Sequence, residues 1–515
     1  MNKEQILWAD DEIDLLKPHI LFLQNKGYEV TTVTNGRDAL DAISQQNFHL
    51  IILDENMPGI SGLEALQQIK IAQPNVPVIM ITKSEEENIM NQAIGSEIAD
   101  YLIKPVNPMQ ILLSIKKNLH SEALVAQKAT SDYQQEFMSI SQQIAMARTI
   151  DDWYQLYNTL VRWELTLSNA ETGMADMLRM QKQEANSAFA KMVKRNYEKW
   201  VTTDDHPLMS NEIFKTQIFP HIDAGEKVCF IVIDNFRLDQ WRTISPLLND
   251  YFNIEKEELY TTILPTATQY ARNAIFSGLM PIDIERMFPE LWVDEDEDEG
   301  KNLNEAPLIQ TILDRYRRKC KFSYNKLNDS AAGERLVQHF AQLKNFDLNV
   351  IVFNFVDILS HARTESKMIR ELAYTDEAYR SLTVTWFKNS YVLEIFKRIA
   401  EQGWKIVLTT DHDTTRVDNA IKVIGDKNTN TNLRYKVGKN LSYNPRQVYE
   451  IKQPKRFGLP LLNVSSTYIF ASGRDFFAYP NNYNHYVQYY NDTFQHGGIS
   501  MEEMLVPLIT LTPKK

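Results

Sequence analysis

Carboxylates and imidazoles recur where apolar runs end. Ile406-Val407-Leu408 leads through two threonines into Asp411-His412, and "CFIVIDNFR" closes its run on Asp234. "NFVDILSHARTES" sets Asp357 and His361 four apart, the spacing of one helix face. In "FQHGGIS", His496 stands beside two glycines that let backbone approach closely. Three imidazoles and three carboxylates make two nitrogen–oxygen sites without a thiolate. Such donors suit Zn2+, with Mn2+ as the competitor. Two cations about 3.5–4 Å apart clamp both oxygens of an in-line phosphoryl transfer, and a bound hydroxyl becomes a usable nucleophile.

A second acid group lies near the N-terminus. Asp10 and Asp11 follow Ile6-Leu7-Trp8, and Asp54 follows Leu50-Ile51-Ile52-Leu53. Thr82 ends Val78-Ile79-Met80-Ile81, and Lys104 with Pro105 follows Tyr101-Leu102-Ile103. In a parallel sheet these ends share one edge, where ligands bind. Three crowded carboxylates call for a divalent cation, and all-oxygen ligands favour Mg2+. Lys104 can pair with an added phosphoryl group, and the Thr82 hydroxyl can donate to it.

The elements needed to position these residues fall into three parts. Residues 1–120 alternate apolar runs with helical spacing at Asp38–Ser44 and Gly62–Ile71, which predicts a doubly wound α/β unit. In residues 121–205 the stripe Ile144, Ala147, Ile150, Trp153, Leu156, Leu160, Trp163 and Leu167 marks a helix face. Thr149 followed by Asp152 allows two helices to meet there. The stretch Glu171–Trp200 reads as another long helix, so a helical bundle is expected. From 206 to 515 strands return at Val228–Ile233, Val350–Phe355, Ile406–Leu408 and Tyr468–Ala471, predicting a mixed α/β sheet. The run Asp294–Glu299 reads as a solvated loop, and Asp204-Asp205-His206-Pro207 as a turn. Arg237 and Arg272 are expected at the surface or against a substrate phosphate.

The bulk numbers bound the class. A 515-residue chain with 43% hydrophobic and 24% charged residues predicts a soluble globular protein. No apolar run approaches the ~20 residues of a membrane helix, so no membrane insertion is expected. The opening MNKEQILWADDE lacks a secretory layout. The two cysteines argue for a reducing compartment, and the cytoplasm fits. A formal charge of −12 disfavours a large non-specific nucleic-acid surface, while leaving room for an anionic substrate beside a metal.

Residues 1–120 resemble a response-regulator receiver domain, by "DD" at 10–11, "LDENMPGISG" at 53–62, Thr82 and "KP" at 104–105. The resemblance implies a flavodoxin-like fold and Mg2+ held by Asp10, Asp11 and Asp54. It also implies a sensor histidine kinase that phosphorylates Asp54, with Thr82, Tyr101 and Lys104 as the switch and homodimerisation on phosphorylation. The later array resembles the alkaline phosphatase superfamily, and "HGGISMEEMLVP" resembles its PglZ branch. That resemblance implies two Zn2+, one on Asp357, His361 and His496, the other on Asp234, Thr268, Asp411 and His412. Thr268 is then the nucleophile. Thr266 is the rival, less favoured by its spacing to Gly278 and Pro281. Asp413 stands where many members have glycine. The layout as a whole resembles response regulators tied to type IX secretion, which implies coupling to an extracytoplasmic-function sigma factor. The expected activity is a phosphodiesterase acting on nucleotides or oligonucleotides. A non-catalytic metal-stabilised signalling module and a phosphomonoesterase or phosphomutase are the alternatives.

Overall fold

A computed structural model describes residues 3–514, save 84–86, 169–171, 294–301, 427–428 and 464. The acidic run Asp294–Glu299 thus lies outside the described residues. The chain divides into two compact units, Met1–Ser131 and Asp132–Lys515.

The first unit holds one parallel sheet. Its strands are β1 (Gln5–Ala9), β2 (Glu29–Val33), β3 (Leu50–Asp54), β4 (Val78–Thr82) and β5 (Asp100–Ile103), in the order β2-β1-β3-β4-β5. This is the flavodoxin-like winding. β3 and β4 are buried along their whole length, and helices cover both faces, so they read as unbroken apolar runs. β2 has no fully buried residue and pairs on one side only, which hides it in the sequence. Helix Gly62–Ala72 starts at a capping box in which Ser61 accepts from the Glu64 N–H and Glu64 from that of Ser61. Helix Pro108–Met146 begins after β5 and runs without a break past residue 120.

In the second unit, that helix ends three residues before Ile150–Thr166 begins. Thr149 and Asp152 form a capping box at this junction, so the apolar stripe is carried by two helices. Trp153, Leu156, Leu160 and Trp163 are buried, and Thr172–Thr202 packs alongside. Tyr133 donates to Gln181 at 3.1 Å, tying the first bundle helix to the third.

The main sheet comprises β6 (Val228–Ile233), β7 (Phe252–Thr261), β8 (Phe322–Leu327), β9 (Leu348–Phe353), β10 (Lys405–Thr409) and a last strand, Leu505–Pro513. Their order is β7, Leu505–Pro513, β10, β6, β9, β8. The last strand runs antiparallel to both neighbours, and the remaining pairs are parallel. The sheet is therefore mixed, as its composition of strands predicts. Two expectations shift. β9 ends at Phe353, and Phe355 already opens the helix that carries Asp357. Tyr468–Ala471 does not join the main sheet. Thr467–Phe470 is the middle strand of a small antiparallel sheet with Tyr435–Gly438 and Tyr449–Ile451. Its partners are two short strands of three and four residues, which run length alone does not reveal.

Candidate functional site

Three adjacent central strands deliver ligands to one edge. β6 runs into Asp234, β9 into helix Phe355–Glu365 with Asp357 and His361, and β10 into Asp411 and His412. Register fixes them together, because Ile233 pairs with Phe353 and Val232 with Thr409. The antiparallel last strand starts at that same edge, so the segment ahead of it brings His496 in. β7 ends there too, and its continuation reaches Thr268 at the first turn of helix Thr268–Ser277.

Two donor triads result. Ligand atoms of Asp357, His361 and His496 lie within 4.8 Å of one another, and so do those of Asp234, Asp411 and His412. The His412 and His496 rings stack at 4.1 Å, which sets the triads side by side. Thr268 Oγ1 is 2.9 Å from His412 Nε2. That nitrogen also lies 3.7 Å from Asp234 Oδ1 and 3.8 Å from Asp411 Oδ2. The second triad is buried, while the His361 side chain is 61% exposed, so the site opens to solvent on that side. Thr266 is turned away from this cluster. Its hydroxyl accepts from Gly497 N at 2.9 Å and donates to the Gly498 carbonyl at 3.1 Å. Its own carbonyl accepts from His496 Nδ1 at 3.0 Å, which leaves Nε2 as the ligand nitrogen.

The supporting groups are built in. Asn235, at φ 60°, turns the chain after Asp234 and donates to Asp357 Oδ1 at 3.1 Å. Few residues but asparagine and glycine tolerate that conformation. A Cβ on Gly498 would meet the Ala471 carbonyl at 2.5 Å, and one on Gly497 would meet the Tyr435 ring at 2.5 Å. The close approach read from "HGG" is therefore real.

Arg272 overturns the surface expectation. Its side chain is fully buried, with Nε 3.0 Å from Asp411 Oδ2, Nη1 3.2 Å from Glu305, and a further contact to Asp234 Oδ2. Burial opposes its charge, but Asp234, Asp411 and Glu305 outweigh that and hold its pKa well up. Arg237 is buried as well, paired with Asp239 and, at 3.1 Å, with Asp376. Sequence reading missed Glu305, and offered Arg272 as a surface or phosphate-facing residue without its buried pairing to Asp234 and Asp411. The signal for Arg272 was its place four residues after Thr268, on the same helix face.

This donor set fits a pair of cations. Asp234 gives Oδ2 to Arg272, while its buried Oδ1 has no hydrogen-bond partner among the described residues. Burial pushes the Asp234 carboxyl well above the usual range, the condition that a nearby divalent charge reverses. Burial also drives His412 far below, and His496 below, the ordinary imidazole value, so both are neutral as ligands must be. Asp413 is buried and pushed well up by burial, and stands outside both triads.

At the receiver edge, Asp10, Asp54 and Thr82 are buried. Lys104 Nζ lies 2.8 Å from Asp54 Oδ2 and 2.9 Å from Asp10 Oδ2. Asp11 is exposed, and Tyr101 is half-buried on β5. At this edge the acids whose ligand atoms lie within 4.8 Å of one another are Asp10, Asp11 and Glu12; the cluster holds Glu12 where the sequence reading placed Asp54, whose Oδ2 pairs with Lys104. Glu12 also pairs with Lys83 at 2.7 Å. Burial raises the Asp54 carboxyl, and Lys104 opposes that.

Among the described residues, no helix is long and apolar enough to cross a membrane. Three family models match the chain: a response regulator receiver domain over residues 6–116, a PorX response regulator linker domain over 123–201, and a BREX system PglZ alkaline phosphatase-like domain over 213–511. The transcriptional regulatory protein ResD of Bacillus subtilis is 32% identical over 115 residues, 22% of this chain and 48% of that protein. The uncharacterized transcriptional regulatory protein YkoG of the same species is 34% identical over 121 residues, 23% of this chain and 52% of that protein. The chain thus spans about half the length of these curated relatives. Among solved structures, a CheY-like receiver domain protein from Methanospirillum hungatei is 28% identical, with a TM-score of 0.23, covering 23% of this chain and 96% of that one. The three matches in this order form a PorX-like architecture. Since the last match alone spans more than half of the residues, the chain belongs to the PglZ alkaline phosphatase-like family, joined here to a receiver domain and a PorX-type linker.

Proposed function

We propose that this protein is a zinc-dependent phosphodiesterase acting on nucleotides or short oligonucleotides, controlled by phosphorylation of Asp54. The observation that carries the reading is the Thr268 hydroxyl, 2.9 Å from His412 Nε2, beside two facing donor triads. Asp357, His361 and His496 would hold one cation, and Asp234, Thr268, Asp411 and His412 the other. When bound, the pair supplies positive charge for phosphoryl oxygens and acidifies hydroxyls, with Mn2+ as the rival to Zn2+.

The chain's own residues do the rest. Thr268 gives up its hydroxyl proton and Oγ1 bonds to phosphorus as the P–O ester bond breaks; the leaving oxygen departs with its substituent and takes up a proton, giving a phosphothreonine. Water then attacks phosphorus and returns the threonine. The helix that starts at Thr268 turns its positive end toward the phosphate. Arg272 fixes Asp234 and Asp411 from the buried side, and Asn235 fixes Asp357. The receiver would hold Mg2+ on Asp10, Asp11 and Asp54, with Thr82, Tyr101 and Lys104 responding to the acyl phosphate. The PorX-like architecture supports a cytoplasmic regulator that dimerises on phosphorylation, engages an extracytoplasmic-function sigma factor and serves type IX secretion.

Hydrolysis of bis-p-nitrophenyl phosphate by the full chain tests the reading. Thr268→Ala and Asp411→Ala are expected to lose roughly a hundredfold or more, in line with loss of a nucleophile or ligand. Undiminished turnover in either, or turnover of the monoester alone, would overturn it.

A further inference from the structure

We infer that the outer face of helix Tyr483–Tyr490 is a stacking platform for bases of a single-stranded oligonucleotide that reaches the paired triads. This rests on the phosphodiester reading above. The inner face of the helix, Tyr483, Val487 and Tyr490, packs against Val417, Phe476 and Ala478. Tyr486 stacks on Tyr490 at 6.2 Å and Tyr489 meets it edge-on at 4.8 Å, so an aromatic strip grows outward from that packing. His485 and Tyr489 stand ring to ring at 6.2 Å and 24°, and Tyr486 is 39% exposed. The Arg370 guanidinium sits 5.7 Å from the Tyr489 ring centre. Exposed aromatic surface beside a guanidinium suits flat bases on an anionic backbone, whatever the base sequence.

Continuity with the site supports this occupant. β11 (Thr415–Val417) pairs antiparallel with Thr493–Gln495. One end of this ribbon joins His412 and His496, whose rings stack. Its other end, Val417 opposite Thr493, lies just after Tyr490, so the ribbon leads from the ligands to the platform. Arg370 comes from helix Lys367–Leu372, which directly follows the helix bearing exposed His361. Nucleotides flanking a scissile bond at the triads would therefore cross His361 and meet the tyrosines.

The test measures anisotropy of a short fluorescein-labelled oligothymidylate on full-length, zinc-loaded Thr268→Ala protein. Adding Tyr486→Ala with Tyr489→Ala is expected to weaken binding about tenfold. Tyr486→Phe with Tyr489→Phe, which keeps both ring faces, should bind like the parent. The single Tyr486→Ala, at an exposed position, should give an intermediate loss with an unchanged thermal midpoint. Unchanged binding in the alanine pair, or equal loss in the alanine and phenylalanine pairs, overturns the platform. A change in sedimentation without a change in binding also overturns it, and makes the strip a contact between copies. Turnover of bis-p-nitrophenyl phosphate by the unaltered protein is read in parallel. Its absence, with tyrosine-dependent binding retained, sinks the catalytic reading and leaves the platform standing.

Discussion

Removing the Arg272 guanidinium strands three buried carboxylates. Asp234, Asp411 and Glu305 share it, and among the described residues only Glu305 has a second cation, Lys326 at 2.9 Å. Breaking a buried ion cluster from one side costs about 3–5 kcal/mol. Arg272→Met should therefore lower the thermal midpoint sharply. Added zinc should restore part of the loss, since a divalent cation offsets the same carboxylates. An unchanged midpoint in scanning calorimetry would contradict this account. The proposed metal ligands stand out one by one in the sequence, Asp234 and Asp411-His412 after apolar runs, Asp357 and His361 by their helix spacing, and His496 by its two glycines. The burial of Arg272 and Glu305 was not legible, because an arginine in a mixed helix and a glutamate opening helix Glu305–Arg315 look solvated until distant strands enclose them.

Among the elements, the polar seam between the bundle and the segment after His496 has its own pH signature. Lys182, on helix Thr172–Thr202, lies 2.6 Å from Glu164 and 3.2 Å from Glu502. Asn186 donates to Glu502 at 2.8 Å and accepts from the Met501 N–H at 2.7 Å. Burial alone would raise Glu502, but Lys182 and Asn186 outweigh it and hold the carboxyl below its usual 4.5. A depressed carboxyl stabilises the fold above its unfolded value and loses that contribution as pH falls through the folded one. Stability should thus hold to about pH 5 and decline below it. Lys182→Ala should cost about 2 kcal/mol at neutral pH and flatten the acid decline, checked by thermal melts across pH. Strand legibility followed burial in the same way. Doubly covered β3, β4, β6 and β9 were plain in the sequence as apolar runs. β7 was not, because this edge strand exposes Asn253–Glu258, and Leu505–Pro513 was obscured by its two prolines.

For the whole molecule, control is expected to begin at Asp54. Sedimentation of the full chain with Mg2+ and a beryllofluoride phosphoryl mimic should show a rise toward dimer mass, absent in Asp54→Ala. No change in the unaltered chain would count against phosphorylation-driven dimerisation. The receiver edge is ready for added negative charge. Lys104 already bridges Asp54 and Asp10, and an acyl phosphate on Asp54 would compete for that ammonium.

The ladder joining β10, β6 and β9 would act as a gauge for the proposed cation pair. Adjacent strands sit about 4.8 Å apart, close to the span a cation pair needs, so the sheet itself sets how far apart two ions can be held. A one-residue deletion within Ile406–Leu408 would keep every ligand in the chain. It would still turn His412 to the opposite face and leave the gauge with nothing to measure.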